Sequence, residues 1–303
     1  MTIMTDFQQK MTALLPTIKL LMHESMAKHT SFKIGGPAEV MAFPQNGEQL
    51  RKILKQSAML DLKPAILGAG TNILAPDEGV PGLVICLKDC VDILEQVDAT
   101  RIRVGAGVSM ARAANFAASC GLSGLEFAHG IPGSVGGGVY MNAGAYGGEI
   151  CQVCESVEVM DPAGEICILT GVEMDFSYRH SRLETEGGIV LSATFALTPK
   201  LAEEIRATMQ DLMTRRRSSQ PLDLPSAGSA FKRPVGGYAA ALIDQTGLKG
   251  YQVGGAAVSE KHAGFVVNLG GATANDVKKL LAEVSNKVFE STGIRLEPEV
   301  RIW

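Results

Sequence analysis

Apolar residues recur at helical spacing in several parts of the chain. The same spacing, with capping residues, predicts helices over 5–27, 46–57, 109–120, 202–218 and 237–246. Pro16 interrupts the first of these and favours a break within it, whereas Ser109 is a good N-cap and Gly121 lies just past the end of its helix. The strongest pattern predicts a helix over 275–291 whose buried face consists of Val277, Leu280, Leu281, Val284 and Val288.

Short apolar runs between turn residues predict strands. The sequence Asp161-Pro162-Ala163-Gly164 joins two such runs and predicts a hairpin. The predicted strands are 29–38 (running into a glycine turn), 40–43, 64–74 (running into a Gly-x-Gly loop), 83–87, 101–104, 153–160, 165–169, 189–197, 251–253, 264–268 and 295–303.

Glycine is concentrated in the segment 121–150, which contains ten of the 34 glycines of the chain. These glycines alternate with large apolar residues, so this backbone is predicted to be buried and closely approached by another surface. Consecutive N–H groups at 136–138 suit a phosphate or the edge of a flavin. A tight turn packed under a core is an equally good interpretation of the glycine content alone.

Two Gly-x-Gly sequences, at 68–70 and 105–107, follow predicted strands. Both lack the third glycine of the dinucleotide-binding fingerprint, and Asn72 stands where a helix should begin. The two incomplete matches therefore argue against a Rossmann domain.

Composition restricts the class of protein. The 303 residues suggest two to three domains, and 46% hydrophobic with 20% charged residues describe a folded protein. A net charge of -4 excludes a generally basic nucleic-acid-binding surface, and the run 215–217 is interpreted as cations at a helix C-terminus. No apolar run reaches membrane-spanning length, and the amphipathic N-terminus is expected to be a helix of the mature protein.

Six cysteines are too few for a disulfide framework in a chain of this size. Cys151 and Cys154 form a single Cys-x-x-Cys pair without a second pair or matching histidines, so reduced thiols are expected here and no metal site. This cysteine usage predicts a cytoplasmic protein.

Eight segments, in order from residue 29 to residue 301, resemble the UDP-N-acetylenolpyruvoylglucosamine reductase family in its short second form. They cover essentially the whole chain and read HTSFKIGGPAE, LGAGTNILAPDEG, GLSGLEFAHGIPGSVGGGVYMNAGAYGGE, SYRHSR, AGSAFKRP, ALIDQTGLKG, VSEKHAGFVVN and LEPEVRI.

The resemblance implies an α+β fold with a two-lobed FAD-binding region of the vanillyl-alcohol-oxidase (PCMH) type and a separate α/β substrate-binding domain. The expected domains are 1–90 (first FAD-binding lobe), 91–204 (second lobe), 205–294 (substrate-binding domain) and 295–303, a strand returning to the FAD lobes. It also implies non-covalent FAD as cofactor. The expected cofactor-binding residues are Gly35, Gly36, Gly68, Gly70, Thr71, Asn72, Ile131, Pro132, Gly133, Ser134, Gly136, Gly137, Asn142, Ala143 and Gly144.

The implied reaction reduces UDP-N-acetylglucosamine enolpyruvate to UDP-N-acetylmuramate, a precursor of peptidoglycan, with NADPH as hydride donor. Hydride addition to the enol methylene leaves negative charge on the neighbouring carbon and the carboxylate, which calls for a proton donor and an electrostatic partner. The resemblance assigns the proton to Ser229 and the carboxylate to Arg179 and Glu299. The expected substrate-binding residues are Tyr178, Lys232, Arg233, His262 and Arg301.

Two positions depart from the expected pattern. His129 precedes GIPG, where a small or apolar residue is usual in the family, and Arg233 stands where the other form of the family has asparagine. The alternatives are another FAD oxidoreductase of this fold and a nucleotide-sugar-binding protein without catalysis, and both fit the full set of Ser229, Arg179 and Glu299 less well. A monomer or weak homo-oligomer is expected, with no nucleic-acid or membrane partner.

Overall fold

The structure of the protein, a computed structural model, describes residues 4–88 and 90–303. Within these ranges no helix is both long and apolar enough to cross a lipid bilayer. Short 3-10 helices cover Met26–Lys28, Glu126–Gly130 and Ile150–Gln152. The α-helices are α1 (Asp6–Leu14), α2 (Gly47–Met59), α3 (Met110–Ser119), α4 (Val135–Tyr140), α5 (Leu183–Glu186), α6 (Ala202–Ser219), α7 (Ala239–Gln245) and α8 (Ala274–Thr292).

The strands range from two to eight residues in length. They are β1 (Lys19–Ser25), β2 (Pro37–Phe43), β3 (Ala65–Leu67), β4 (Ile73–Leu74), β5 (Val80–Cys86), β6 (Leu94–Gln96), β7 (Arg101–Gly105), β8 (Leu122–Ser123), β9 (Gly144–Ala145), β10 (Gly148–Glu149), β11 (Cys154–Met160), β12 (Ile166–Thr170), β13 (Ile189–Ala196), β14 (Thr198–Pro199), β15 (Ser226–Ser229), β16 (Gln252–Val253), β17 (Ala256–Val258), β18 (Phe265–Asn268) and β19 (Arg301–Ile302).

Three predicted elements are wrong. The helix predicted over 5–27 ends at Leu14, because Pro16 cannot continue it, and the chain then forms strand β1. Most of the strand predicted over 29–38 is a loop, in which Lys33 has a left-handed φ of 55°. At the chain end only Arg301–Ile302 is a strand. The other predicted helices, and the hairpin of β11 and β12, are confirmed within a few residues.

The described residues divide into two compact units. The first contains residues 4–21, 40–69 and 82–215, and the second contains Met22–Glu39, Gly70–Pro81 and Arg216–Trp303. Both are discontinuous in sequence. The domain boundaries predicted at 90, 204 and 294 stay a prediction.

The first unit is built on a five-stranded antiparallel sheet in the order β12-β11-β13-β7-β6. Helix α3 begins at the N-cap Ser109, whose hydroxyl accepts a hydrogen bond from the backbone of Arg112. Its buried face carries Ala113, Ala114, Ala117 and Ala118. Such small side chains allow a helix to pack closely on its neighbours. In the same unit β3 pairs parallel with the Val84–Cys86 part of β5.

The second unit has an antiparallel sheet in the order β15-β18-β17-β16. Helix α8 packs its predicted apolar face into the core of this unit, together with Phe32, Ile34 and Leu74 from distant parts of the chain. Strand β19 pairs parallel with β4, so the last residues of the chain are integrated into this unit.

The N-terminus of α8 is capped twice. Thr273 and Asp276 form a capping box. In addition, the carboxylate of Asp77 accepts hydrogen bonds from the backbone nitrogens of Ala274 (2.7 Å) and Asn275 (3.0 Å). A carboxylate at this end also opposes the positive end of the helix dipole, so Asp77 fastens the 70–81 segment to α8.

Replacing Asp77 by alanine is therefore expected to lower the free energy of unfolding by about 1–2 kcal/mol, the usual range for losing a helix cap. Urea denaturation measures the change. Asp223→Ala, at an exposed aspartate of the same unit, is the matched control. Equal destabilisation by both substitutions would contradict the role given to Asp77.

Candidate active site

In the first unit, bare backbone surrounds the hydroxyl of Ser134. This buried serine caps α4 by accepting a hydrogen bond from the Gly137 nitrogen at 3.4 Å. A Cβ added at Gly68 would lie 3.0 Å from the Ser134 Oγ, and one added at Gly137 would lie 3.5 Å from it. Apart from the adjacent residues and the backbone of α4, no other atom of the described residues lies within 4 Å of either position. Glycine at both positions therefore leaves backbone and a hydroxyl open to a ligand, which fits the phosphate or ring edge of a flavin nucleotide.

The three glycines of α4 have different environments. A Cβ at Gly136 would lie 2.9 Å from the Cβ of Ala106, and one at Gly138 would lie 2.7 Å from the Met110 sulfur. The Gly136 nitrogen also donates to the Ala106 carbonyl at 3.0 Å. Gly136 and Gly138 thus permit close packing of α4, and Gly137 is the glycine of this run with an open side. The other predicted cofactor residues here, Ile131, Pro132, Gly133 and Ala143, lie in the turns before and after α4.

His129 lies in the 3-10 helix just before this turn. Its Nδ1 is 3.5 Å from the side-chain nitrogen of Asn115, and burial lowers the pKa of the imidazole. A neutral imidazole is therefore favoured near pH 7.

A tight turn presents Arg179 in the same unit. The backbones of Ser177 and His180 exchange two hydrogen bonds of 3.1 and 3.2 Å, so Tyr178 and Arg179 form the tip of the turn. Arg179 has a left-handed φ of 57°, which is uncommon for a residue with a side chain. Its guanidinium lies 5.1 Å from the centre of the Tyr178 ring and donates to the Gly144 carbonyl at 3.4 Å. The turn therefore directs the cation towards the hairpin of β9 and β10.

Buried polar side chains attach this turn to its surroundings. Asn142 donates to the Ser177 carbonyl at 3.0 Å, and Ser181 donates to the Tyr140 carbonyl at 2.8 Å. Asn142 is 1% exposed and Ser181 is 0% exposed. The side chain of Asn142, which the resemblance expects to bind the cofactor, thus holds the Ser177–His180 turn.

In the second unit, the predicted glycine loops pack on one another. A Cβ at Gly36 would lie 2.2 Å from the Asp77 carbonyl oxygen, and one at Gly70 would lie 1.9 Å from that of His29. A Cβ at Gly35 would lie 2.6 Å from the Cβ of Ala75. Close backbone packing therefore accounts for these glycines, and their predicted contact with a cofactor stays a prediction. Thr71 follows them in the same loop, half-buried.

Ser229 stands at the end of β15 with an exposed side chain. The preceding Gly228 has a φ of 78°, and the pairing with β18 shifts between Ser226 and Ser229. Such a bulge redirects the side chains that follow it. Ser229 pairs with Phe265, and the next residue, Ala230, donates its N–H to the Gly264 carbonyl at 2.8 Å.

The chain after Ser229 is held on its other side by the segment that carries Glu299. The Glu299 nitrogen donates to the Ala230 carbonyl at 2.9 Å, and the Lys232 nitrogen donates to the Glu297 carbonyl at 2.9 Å. Asn72 bonds to the same segment at two points. Its side-chain amide donates to the Glu299 carbonyl at 3.2 Å, and its backbone carbonyl accepts from the Arg301 nitrogen at 3.0 Å. The structure thus brings Ser229, Glu299 and Arg301 together on hydrogen-bonded segments of one unit.

His262 lies in the loop before β18. Its Nδ1 accepts a hydrogen bond from the Gly264 nitrogen at 3.1 Å, and its ring meets the Phe265 ring edge-on with centroids 5.1 Å apart. Burial lowers the pKa of His262, and the charge of Lys249 adds a smaller effect in the same direction. The neutral ring therefore carries its proton on Nε2, where it is available as a donor.

Lys232 and Arg233 begin an exposed loop after the Ser229 segment. The Lys232 Nζ is 3.6 Å from a Glu297 carboxylate oxygen, and the guanidinium of Arg233 lies 4.6 Å from the centre of the Tyr238 ring. Tyr238 is itself 63% exposed. The sequence gives only a weak sign of this pairing, because Arg233 precedes Tyr238 by five residues.

The Cys-x-x-Cys pair has no reactive thiolate. Burial raises the pKa of Cys154 to about 12, and burial also raises the pKa of the exposed Cys151. Both thiols are protonated near pH 7, a state that does not ligate metals. Among residues 4–88 and 90–303, no group of three or more His, Cys, Asp or Glu side chains is placed to hold a metal ion.

The predicted site residues fall into two sets. The first unit contains Gly68, the turns around α4, Tyr178 and Arg179, and the second contains the loops at 35–36 and 70–72, Ser229, Lys232, Arg233, His262, Glu299 and Arg301. Sequence reasoning missed Ser181 and Asp77, because the burial and long-range bonds that give them their roles leave no local signal.

Family models match two separate parts of the chain. Residues 220–303 match the family described as "UDP-N-acetylenolpyruvoylglucosamine reductase, C-terminal domain", and residues 38–170 match "FAD binding domain". The chain is 46% identical to the UDP-N-acetylenolpyruvoylglucosamine reductase of Agathobacter rectalis, over 98% of each chain. It is also 46% identical to that of Levilactobacillus brevis, over 95% of this chain and 94% of the relative.

A solved structure supports the fold. The crystal structure of UDP-N-acetylenolpyruvylglucosamine reductase (MurB) from Thermus caldophilus is 36% identical, with a TM-score of 0.78, and the match covers 94% of this chain and 98% of that chain. The expected α+β fold with an FAD-binding region and a separate further domain is confirmed, and so is FAD as the cofactor of an oxidoreductase. The chain belongs to the UDP-N-acetylenolpyruvoylglucosamine reductase family.

Proposed function

We propose that this protein reduces UDP-N-acetylglucosamine enolpyruvate to UDP-N-acetylmuramate with NADPH as the hydride donor. The observation that carries the proposal is the exposed Ser229 hydroxyl, held on a segment that hydrogen-bonds directly to the backbone of Glu299. An exposed hydroxyl whose segment is hydrogen-bonded to the segment bearing the Glu299 carboxyl group suits protonation of a substrate carbon next to a carboxylate. FAD, when bound, supplies the hydride that reaches the enol methylene.

Ser229 is proposed to protonate the carbon that becomes negatively charged. Its segment is hydrogen-bonded on both sides, through Gly264 on one and Glu299 on the other. Ser229 follows the bulge at Gly228 and is exposed, so a ligand has access to it. A serine hydroxyl is a weak acid, so this role requires a fixed position and a stabilised serine oxyanion after transfer.

Arg179 and Glu299 are proposed to stabilise the charge that develops on the substrate carboxylate. The planar guanidinium of Arg179 offers paired donors that match a carboxylate, and its turn holds it before the reaction begins. Glu299 is half-buried and its backbone is fixed by Ala230 and Asn72. Its carboxyl group suits a hydrogen bond to the substrate when protonated or through a water.

Cations are proposed to bind the nucleotide part of the substrate. Lys232 and Arg233 lie three and four residues after Ser229. Even in a fully extended chain, their Cα atoms are therefore at most about 13 Å from the Ser229 Cα. That distance suits a diphosphate attached to the sugar that carries the enolpyruvyl group. His262 offers a neutral N–H donor, and the proposed set is completed by Tyr178 and Arg301.

FAD is proposed to use the bare backbone around Ser134 in the first unit. Gly68 and Gly137 leave room there for a phosphate or a flat ring. The cytoplasm is the proposed location, because the cysteines of residues 4–88 and 90–303 are free thiols, as a reducing compartment maintains. A monomer or weak homo-oligomer stays a prediction.

The purified protein is expected to be yellow, to bleach with anaerobic NADPH and to regain its colour when UDP-N-acetylglucosamine enolpyruvate is added. Visible absorbance measures all three states. A protein that bleaches and stays bleached with this substrate would leave the FAD fold intact and refute the substrate, which favours the alternative of another FAD oxidoreductase. A flavoprotein that binds the nucleotide sugar but is not reduced by NADPH would favour a binding protein.

FAD is expected to leave the protein on denaturation, because the side chain of the partly buried His129 is already in contact with Asn115. Acid precipitation followed by a spectrum of the supernatant is the measurement. Yellow colour retained by the pellet would instead indicate a covalent bond.

Ser229→Ala is expected to slow reoxidation of the reduced flavin by the substrate about 10²–10⁴-fold, the usual range for removing a proton-transferring group. Reduction by NADPH should be unchanged, because it needs no proton from Ser229. Stopped-flow absorbance separates the two half-reactions. Ser226→Ala, on the same strand, is the matched control, and an equal loss in both variants would refute the role of Ser229.

A further inference from the structure

Asn142 is a buried residue whose side chain is fully engaged. Its two amide hydrogens are donated to the Ser177 carbonyl (3.0 Å) and to a Glu149 carboxylate oxygen (3.2 Å). Its oxygen accepts the Cys151 N–H at 2.9 Å. The residue is 1% exposed and has a left-handed φ of 43°. Its side chain therefore has no hydrogen left to donate to a cofactor.

The three partners of Asn142 belong to two elements. Glu149 and Cys151 are part of the hairpin of β9 and β10 and the short helix after it. Ser177 begins the turn that presents Arg179, and the Arg179 guanidinium returns to the same hairpin through the Gly144 carbonyl. Asn142 thus fixes the base of the turn, and the hairpin contacts its tip.

Ser181 reinforces this attachment on the far side of the turn. Its fully buried hydroxyl donates to the Tyr140 carbonyl at 2.8 Å, two residues before Asn142. The residues 177 and 181 that flank the turn are therefore both bonded to the 140–142 stretch. Between them the turn itself is closed by the mutual backbone bonds of Ser177 and His180.

We propose that Asn142 is a positioning residue for Arg179, in place of the cofactor-binding role that the sequence implies for its side chain. It holds the Ser177–His180 turn so that the guanidinium stands ready for the substrate carboxylate. The inference depends on the proposed function, because Arg179 needs a fixed position only if it meets that carboxylate. Displacing an arginine by about 1 Å is enough to lower a rate up to about 10²-fold.

Asn142→Asp tests the proposal with little change in shape. It keeps the oxygen that accepts from Cys151 and replaces the donor by an oxygen facing the Ser177 carbonyl and the Glu149 carboxylate. We expect reoxidation of the reduced flavin by the enolpyruvyl substrate to slow by about 10–100-fold. The flavin spectrum and the rate of reduction by NADPH should match those of the unmodified protein.

Two further measurements separate positioning from a general structural effect. Adding Asn142→Asp to Arg179→Ala should cause no further loss, because the effect of Asn142 passes through Arg179. Amide hydrogen exchange over 174–182 should be faster in Asn142→Asp, at the Ser177 and His180 nitrogens in particular. Asn286→Asp, at an exposed position on α8, makes the same chemical change and should alter none of these quantities.

Several outcomes would overturn the proposal. The first is a larger loss of reoxidation rate in the double variant of Asn142 and Arg179 than in Arg179→Ala alone. The second is a changed flavin spectrum or slower reduction by NADPH in Asn142→Asp. The third is unchanged hydrogen exchange over 174–182 in Asn142→Asp. If Asn142→Asp does not fold, Ser181→Ala removes the second attachment of the same turn, and the same lack of further loss with Arg179→Ala is expected. If the unmodified protein is not reoxidised by the enolpyruvyl substrate, the proposed function fails instead, and the hydrogen-exchange result still decides whether Asn142 fixes the turn.

Discussion

The left-handed backbone of Arg179 is the constraint on which the presentation of its guanidinium in the first unit depends. A residue with a side chain adopts this conformation at a cost of roughly 1–2 kcal/mol. The isolated turn would relax, so the conformation persists because surrounding bonds fix it. Asn142 and Ser181 supply these bonds from the buried interior. Removing one partner would leave a buried polar group unsatisfied, at about 1–3 kcal/mol, which is why the turn is held firmly.

In the second unit, too, an asparagine fixes a segment of the backbone by hydrogen bonds. Asn72 hydrogen-bonds with its side chain to the Glu299 carbonyl and with its backbone to Arg301. Glu299 in turn binds the backbone next to Ser229. Two asparagines that lie in glycine-rich loops therefore fix the segments whose side chains are proposed to act on the substrate. Glycine in these loops lets backbones approach closely, and the asparagine side chains then hydrogen-bond to the neighbouring segments.

Local signals in the sequence predicted much of the fold. Ser109 as an N-cap, Gly121 with its left-handed φ of 68° after α3, and the turn at 161–164 each act within a few residues of the element that they define. The strand β1 was missed because its apolar residues also fit a helix. The bonds of Asn142 to Ser177 and of Asn72 to Glu299 join residues 35 and 227 positions apart. No local pattern encodes such bonds, so these residues were interpreted as cofactor contacts from resemblance alone.

The pairing of β19 with β4 has a consequence for the order in which the second unit folds. It joins residues 301–302 to residues 73–74, which lie 228 positions earlier in the sequence. Contacts between residues so far apart form slowly, because the entropy of closing the intervening chain is lost before the contact contributes stability. We therefore expect the segment with Glu299, which Asn72 also holds, to become fixed late in folding, after the local helices and hairpins have formed.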